Sequence, residues 1–266
     1  MARLLALDVD GTLLRSDNTL SDRNRQAVGA ARRAGWTVVL ATGKPPWAIE
    51  RLAETLELPG PHVVANGCGL WSAGAGLELL AQIPADGVAT ALAFATSRNL
   101  PRAVSGPRGV FCEPHWRVAE VQAALEDVAE EPPTQVADAR AAEPQPWKVI
   151  LIVPMRDPNP EAPAVHGGQW VRTHPRFFET LPAHASKAEA VRRLCGRMGI
   201  DRQDVVAIGD SENDVELLRW SGCGVAMAHA PAHVRQAAAR TTAGNNEDGV
   251  AVALDAILPE WSDGAG

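Results

Sequence analysis

The sequence predicts a doubly wound α/β fold interrupted by an inserted α+β segment. Three observations carry this. Short apolar runs recur at Leu4–Leu7, Thr37–Ala41, His62–Ala65 and Val205–Ile208, each bounded by turn chemistry and too short for a helix, as buried parallel strands are. Helical patterns separate them. Between about Leu79 and Ala185 the chain changes character and becomes rich in Pro, Ala and Gly.

Taken in order, Leu4–Leu7 is the first strand. Ser21 is placed to cap a helix running through Gln26-Ala27-Val28 to Arg33, with Gly35 near its stop. Trp47 to Leu56 has apolar residues at helical spacing and ends before Pro59. In the middle segment, helices are expected over Val88–Thr96 and Val118–Ala129. Lys148–Val153 reads as a strand before Pro154, and Trp170–Arg172 and Arg176–Leu181 as further strands. Glu130–Pro146 and Asp157–Gly168 are proline-rich and read as mobile loops. The expected organisation is a core of residues 1–78 and 186–266 around an inserted domain of residues 79–185.

Composition narrows the function classes. The 266 residues carry a formal net charge of -7, which argues against non-specific binding to nucleic acid or an anionic membrane. Cys68, Cys112, Cys195 and Cys223 form no Cys-x-x-Cys pair, which argues against zinc and dithiol redox roles. No apolar run approaches the roughly 18 residues of a membrane span, and no signal peptide is evident, so cytoplasm is the expected compartment. Trp116, Trp147 and Trp170 read as packing residues of the inserted domain, and Arg102, Arg108 and Arg172 as surface. His229 and His233 are four apart, but Pro231 between them argues against a shared metal.

Four segments carry chemistry. Asp8-Val9-Asp10-Gly11-Thr12 follows the first strand, at the end where open α/β sheets bind ligands. If the chain stays extended, Asp8 and Asp10 point the same way, and a hard divalent cation would relieve their repulsion. A solvated acidic turn is the rival reading. Gly209-Asp210-Ser211-Glu212-Asn213-Asp214 follows another apolar strand. The spacing of Ser211 and Asp214 fits a helix cap. Capping does not account for Asp210, and a metal ligand does. Thr42-Gly43-Lys44 offers a hydroxyl and N–H groups at a strand-to-helix junction, an anion site or a common turn pair. Lys187, next to Ser186 and two residues before Glu189, sits in a first helical turn where a cation opposes the helix dipole unless it serves an anion.

In combination and order these segments resemble the motifs of the haloacid dehalogenase-like hydrolase superfamily, and the long insert resembles its Cof-type phosphatases. Ala65-Asn66-Gly67 and the stretches 224–230 and 245–251 are also similar to that subgroup. The resemblance implies a Rossmann-like core with an α+β cap that selects substrate. It implies a phosphatase in which Asp8 is the nucleophile and Asp10 the general acid and base, with Mg2+ held by Asp8, Asp10 and Asp210. Thr42, Gly43, Lys187 and Asn213 would hold the phosphate, with Thr12 and Asp214 in support. The implied partner is a small phosphate ester, a sugar phosphate for example. A phosphomutase or a non-catalytic phospholigand-binding protein on the same scaffold are the alternatives. Three positions depart from the subgroup: Lys44 replaces its usual Arg and cannot make a planar bidentate contact, Ala188 stands in place of the usual glycine after the motif lysine, and His229 replaces its usual Asn.

Overall fold

A computed structural model describes residues 2–114, 117–126, 132–154, 161–174 and 176–263. It divides into two compact units, residues 1–80 with 186–266, and residues 81–185.

The first unit runs β1 (Arg3–Leu7), α1 (Asp22–Arg33), β2 (Trp36–Leu40), α2 (Pro46–Thr55), β3 (His62–Val64), β4 (Gly69–Ser72) and β5 (Gly76–Leu79). The second contains α3 (Ala85–Ser97), β6 (Arg102–Gly106), β7 (Gly109–Cys112), α4 (Val118–Glu126), β8 (Thr134–Gln135), α5 (Ala139–Ala142), β9 (Lys148–Ile152), β10 (Gly168–His174) and β11 (Phe177–Pro182). The chain then returns to the first unit through α6 (Lys187–Met198), β12 (Val205–Gly209), α7 (Val215–Trp220), β13 (Cys223–Ala226), α8 (Ala232–Ala237), β14 (Arg240–Thr241) and α9 (Gly249–Asp263).

The core sheet is parallel, in the order β14-β13-β12-β1-β2. Residues alternate between its two faces, and both faces are covered. Leu5 and Leu7 enter a cluster with Val28 of α1, Ile49 of α2 and Leu254 of α9. Leu4 and Ala6 enter another with Val191 of α6, Leu218 of α7 and Val234 of α8. From β1 the chain moves to one side, to β2; from β12 it moves to the other, to β13 and β14. The switch therefore lies at the carboxyl ends of β1 and β12, where such sheets open a crevice.

The expected helix after Ser21 is α1, and the Ser21 hydroxyl accepts from the Asn24 N–H at 3.1 Å. One strand differs from expectation. His62–Ala65 reads as a parallel core strand; β3 meets the end of β2 in parallel at the Ala41–Val63 bridge and buries Val63 and Val64 in the core, but its ladder is antiparallel, with β4, in a three-stranded sheet. The tight turn Ala65–Gly67 sends the chain straight back along β3.

The second unit is built on a six-stranded sheet, β10-β11-β9-β6-β7-β8, against whose Val104, Val149, Leu151 and Phe178 the α3 residues Val88, Ala91 and Leu92 pack. Trp170 stacks on Phe178 at 4.7 Å, and buried Trp147 donates to Ser105 Oγ at 3.1 Å, so both are packing residues. Trp116 and residues 127–129 of the expected second helix lie outside the described residues. Arg102 is paired with Glu113 at 3.0 Å. The stretch 130–146, expected as a loop, contains β8 and α5, the latter capped by Asp138. No helix among the described residues is long and apolar enough to cross a membrane.

Candidate active site

Asp8 continues β1 by one residue: its N–H donates to Ile208 O at 3.0 Å. The neighbouring edge is tied in the same way, with the Ala41 N–H donating to Leu7 O at 2.7 Å. The segments after β1, β2 and β12 therefore leave the sheet at one level. Beyond Asp8 the chain is again extended at Asp10, φ -79° and ψ 128°. The turn comes at Gly11, at φ 74°. Buried Asn24 braces the exit, donating from Nδ2 to Leu13 O at 3.1 Å and accepting at Oδ1 from the Ala251 N–H at 3.0 Å. Asp8 is buried, whereas the Asp10 side chain is 48% exposed and pairs with Lys44 Nζ at 3.3 Å.

Asp210 follows β12. Its Oδ1 accepts from Thr12 Oγ1 at 3.1 Å. Gly11 lies so close that a Cβ there would stand 2.5 Å from Asp210 Oδ2. Asp214, one helical turn on, folds back: its Oδ2 accepts from the N–H groups of Asp210 and Ser211, each at 3.1 Å. Its Oδ1 accepts from Lys187 Nζ at 2.8 Å. Asp214 thus fixes both the backbone of Asp210 and the ammonium of Lys187. Ser186 caps α6 by accepting from the Glu189 N–H at 3.1 Å, which starts the helix at Lys187 and sends its side chain inward. Lys187 Nζ also donates to Asp8 Oδ1 at 2.6 Å, with 1% of the lysine side chain exposed.

Asp8, Asp210 and Asp214 each offer a carboxylate oxygen, all within 4.8 Å of one another. Burial, with Asp214 nearby, pushes the Asp8 carboxyl well above its ordinary range against the pull of Lys187. Burial and Asp214 also raise Asp210. Burial works against the charge on Lys187, but Asp214 and Asp8 outweigh it and hold the ammonium above the ordinary lysine range. Three carboxylates thus face one buried ammonium, and the excess negative charge fits a divalent cation. The donors are hard oxygens, which suit Mg2+, Ca2+ or Mn2+.

Thr42 lies beside this cluster. Its N–H donates to Val63 O at 3.0 Å, and its Oγ1 accepts from the Lys44 N–H at 3.0 Å, which leaves the hydroxyl proton for another acceptor. The Gly43 N–H has no partner among the described residues. Asn213 is exposed; its Oδ1 accepts from Ser211 Oγ at 2.6 Å and its Nδ2 donates to Asn66 Oδ1 at 2.9 Å. Asn66 is the residue that motif reasoning left without a role. Its signal was the Asn-Gly pair directly after a strand, a pair that accepts positive φ. His229 brings Nε2 to 3.4 Å from Asp210 Oδ2, while His233 pairs with Glu212.

Residues 5–254 match the family described as haloacid dehalogenase-like hydrolase. The putative phosphatase YxeH of Bacillus subtilis (strain 168) is 30% identical, over 97% of this chain and 99% of its own. The 5-amino-6-(5-phospho-D-ribitylamino)uracil phosphatase YitU of the same organism is 27% identical, over 93% and 94%. Among solved structures, a haloacid dehalogenase-like hydrolase from Bacteroides thetaiotaomicron superposes with a TM-score of 0.82 at 25% identity, covering 97% of this chain and 100% of that one.

Proposed function

The chain belongs to the haloacid dehalogenase-like hydrolase family, and on that premise we propose that it is a Mg2+-dependent phosphatase that hydrolyses a small phosphorylated metabolite, such as a sugar phosphate, through an aspartyl-phosphate on Asp8. The observation that carries this reading is Asp8 itself, buried at the end of β1 with one oxygen held 2.6 Å from Lys187 Nζ.

In the first step Asp8 attacks the phosphorus in line, and the bond to the leaving oxygen breaks. Asp10, more exposed and tethered by Lys44, gives that oxygen a proton. In the second step Asp10 takes a proton from water, which attacks the phosphorus and releases Asp8 and inorganic phosphate. The Thr42 hydroxyl, the Gly43 N–H, Lys187 and Asn213 hold the phosphoryl oxygens, whose spread charge is what the site must stabilise. Asp8, the Asp10 carbonyl and Asp210 would hold Mg2+, with Asp214 and Thr12 orienting Asp210. The ion would supply charge neutralisation at the transferring phosphoryl group.

The substrate class follows from similarity. YitU is named for a phosphate ester on a ribityl chain, which supports a polyhydroxylated leaving group for this chain too. The α+β unit of residues 81–185 is the candidate selector. The four cysteines are buried and unbridged, which supports a reducing, cytoplasmic setting. The test is a phosphoester panel of p-nitrophenyl phosphate and sugar phosphates, with Mg2+ and with chelator. Mg2+-dependent release of free phosphate is expected. Absence of turnover across the panel by pure protein, or an isomeric sugar phosphate as the only product, would overturn the reading.

A further inference from the structure

Ala65, Asn66 and Gly67 take φ values of 48°, 56° and 92°, three left-handed residues in a row. Asn accepts that conformation better than most residues, and alanine does so only at a cost, which marks a turn that its surroundings over-determine. Those surroundings belong to the candidate active site. The Ala65 N–H donates to Lys44 O at 2.9 Å and the Asn66 N–H to Thr42 O at 3.0 Å, so the turn is laced to the Thr42–Lys44 loop. A Cβ on Gly67 would lie 2.1 Å from Ser186 O, so the turn also abuts the residue that caps α6 ahead of Lys187. A Cβ on Gly43 would meet Asn66 Oδ1 at 3.1 Å and Nδ2 at 3.3 Å, so the side-chain amide lies flat against Gly43.

The polarity of that amide is set by a chain of hydrogen bonds. Ser211 Oγ is 2.6 Å from Asn213 Oδ1 and 3.2 Å from Asp214 Oδ2, and the shorter contact takes its single proton. Asn213 then presents Nδ2 to Asn66 Oδ1. That leaves Asn66 Nδ2 as the donor at the end of the chain, with no partner among the described residues, on a side chain only 8% exposed. Nδ2 itself is not sealed from solvent, so this donor is open to an incoming acceptor. It lies on the side chain that packs against Gly43, whose own N–H is unpaired among the described residues.

We propose that Asn66 is a further phosphate-binding residue, whose Nδ2, oriented by the Ser211–Asn213 relay, donates to a non-bridging phosphoryl oxygen beside Gly43. This rests on the phosphatase reading above. Orthovanadate is the probe, as a competitive inhibitor of p-nitrophenyl phosphate hydrolysis with Mg2+ saturating. Asn66→Gly keeps the left-handed backbone and removes the amide. Asn66→Asp keeps the shape and faces the anion with a carboxylate. Asn66→Gly is expected to weaken vanadate roughly tenfold or more, and Asn66→Asp further still, with Mg2+ affinity by calorimetry little changed. Vanadate binding within about twofold of wild type in either variant would overturn the assignment, as would a loss of Mg2+ affinity as large as the loss of vanadate affinity. A wild-type protein that neither hydrolyses the ester nor binds vanadate would instead overturn the phosphatase reading, and this one with it.

Discussion

Lys187 Nζ lies 2.6 Å from Asp8 Oδ1 and 2.8 Å from Asp214 Oδ1, so a cation placed against the dipole of its own helix is held by two buried carboxylates. Removing the ammonium leaves those carboxylates facing each other without a counter-charge. Lys187→Met is therefore expected to lower unfolding stability by about 3 kcal/mol and to abolish turnover. Urea unfolding at neutral pH, with chelator present, measures the first effect. A variant as stable as wild type would contradict the pairing.

Excess negative charge among Asp8, Asp210 and Asp214 makes the fold itself a sensor of divalent ions. Free Mg2+ at about one hundred times its Kd is expected to add about 2.7 kcal/mol of stability. Asp210→Asn is expected to remove most of that gain. Thermal unfolding with Mg2+ against chelator reads both, and an unchanged midpoint in wild type on adding Mg2+ would contradict the cluster's role.

Gly11 touches Asp210 without belonging to the acidic cluster. A Cβ at Gly11 would stand 2.5 Å from Asp210 Oδ2, on a backbone at φ 74°. Gly11→Ala is expected to displace that carboxylate and weaken Mg2+ about tenfold or more by calorimetry. Wild-type affinity in this variant would show that Asp210 is not held where the contact places it.

His62 carries a pH dependence unrelated to the chemistry. The Leu40 N–H donates to its Nδ1 at 3.2 Å, and Nε2 lies 3.2 Å from Leu58 O, which fixes a neutral ring protonated at Nε2. Burial pulls its pKa below the ordinary value, against the Leu58 carbonyl. The unfolded chain therefore takes up this proton first. The contribution is fully present above about pH 6.5 and is lost as pH falls toward the lowered folded value. Urea midpoints across about pH 7.5 to 5.5 should fall more steeply in wild type than in His62→Gln. Parallel profiles would contradict this.

Some of this arrangement is legible in the sequence, and the physical reason is local. Leu4–Leu7 is apolar at every position because both faces of β1 are covered, so the run itself signals a central parallel strand. Asp210 stands out because helix capping accounts for Ser211 and Asp214 but not for it. Lys187 stands out because its helix disfavours it. The pairing of Asp10 with Lys44 is not legible, since it follows a turn at Gly11 whose exit is braced by Asn24, which bonds to Leu13 and to distant Ala251. Nor is the hairpin β6–β7, whose Ser105, Gly106 and Arg108 mask a strand signal, or the antiparallel ladder of β3, which depends on the reversal at Ala65–Gly67. The part played by Asn66 depends on contacts with Asn213 and Gly43, far apart in the chain.

The central claim is that Asp8 accepts the phosphoryl group, and the direct measurement is mass spectrometry of enzyme acid-quenched during turnover of a phosphate ester with Mg2+. The expected result is one added phosphoryl group, on the peptide carrying Asp8, absent from Asp8→Asn, which also fails to turn over. Free phosphate released at the wild-type rate by Asp8→Asn, or a phosphoryl group found on any other residue, would contradict it.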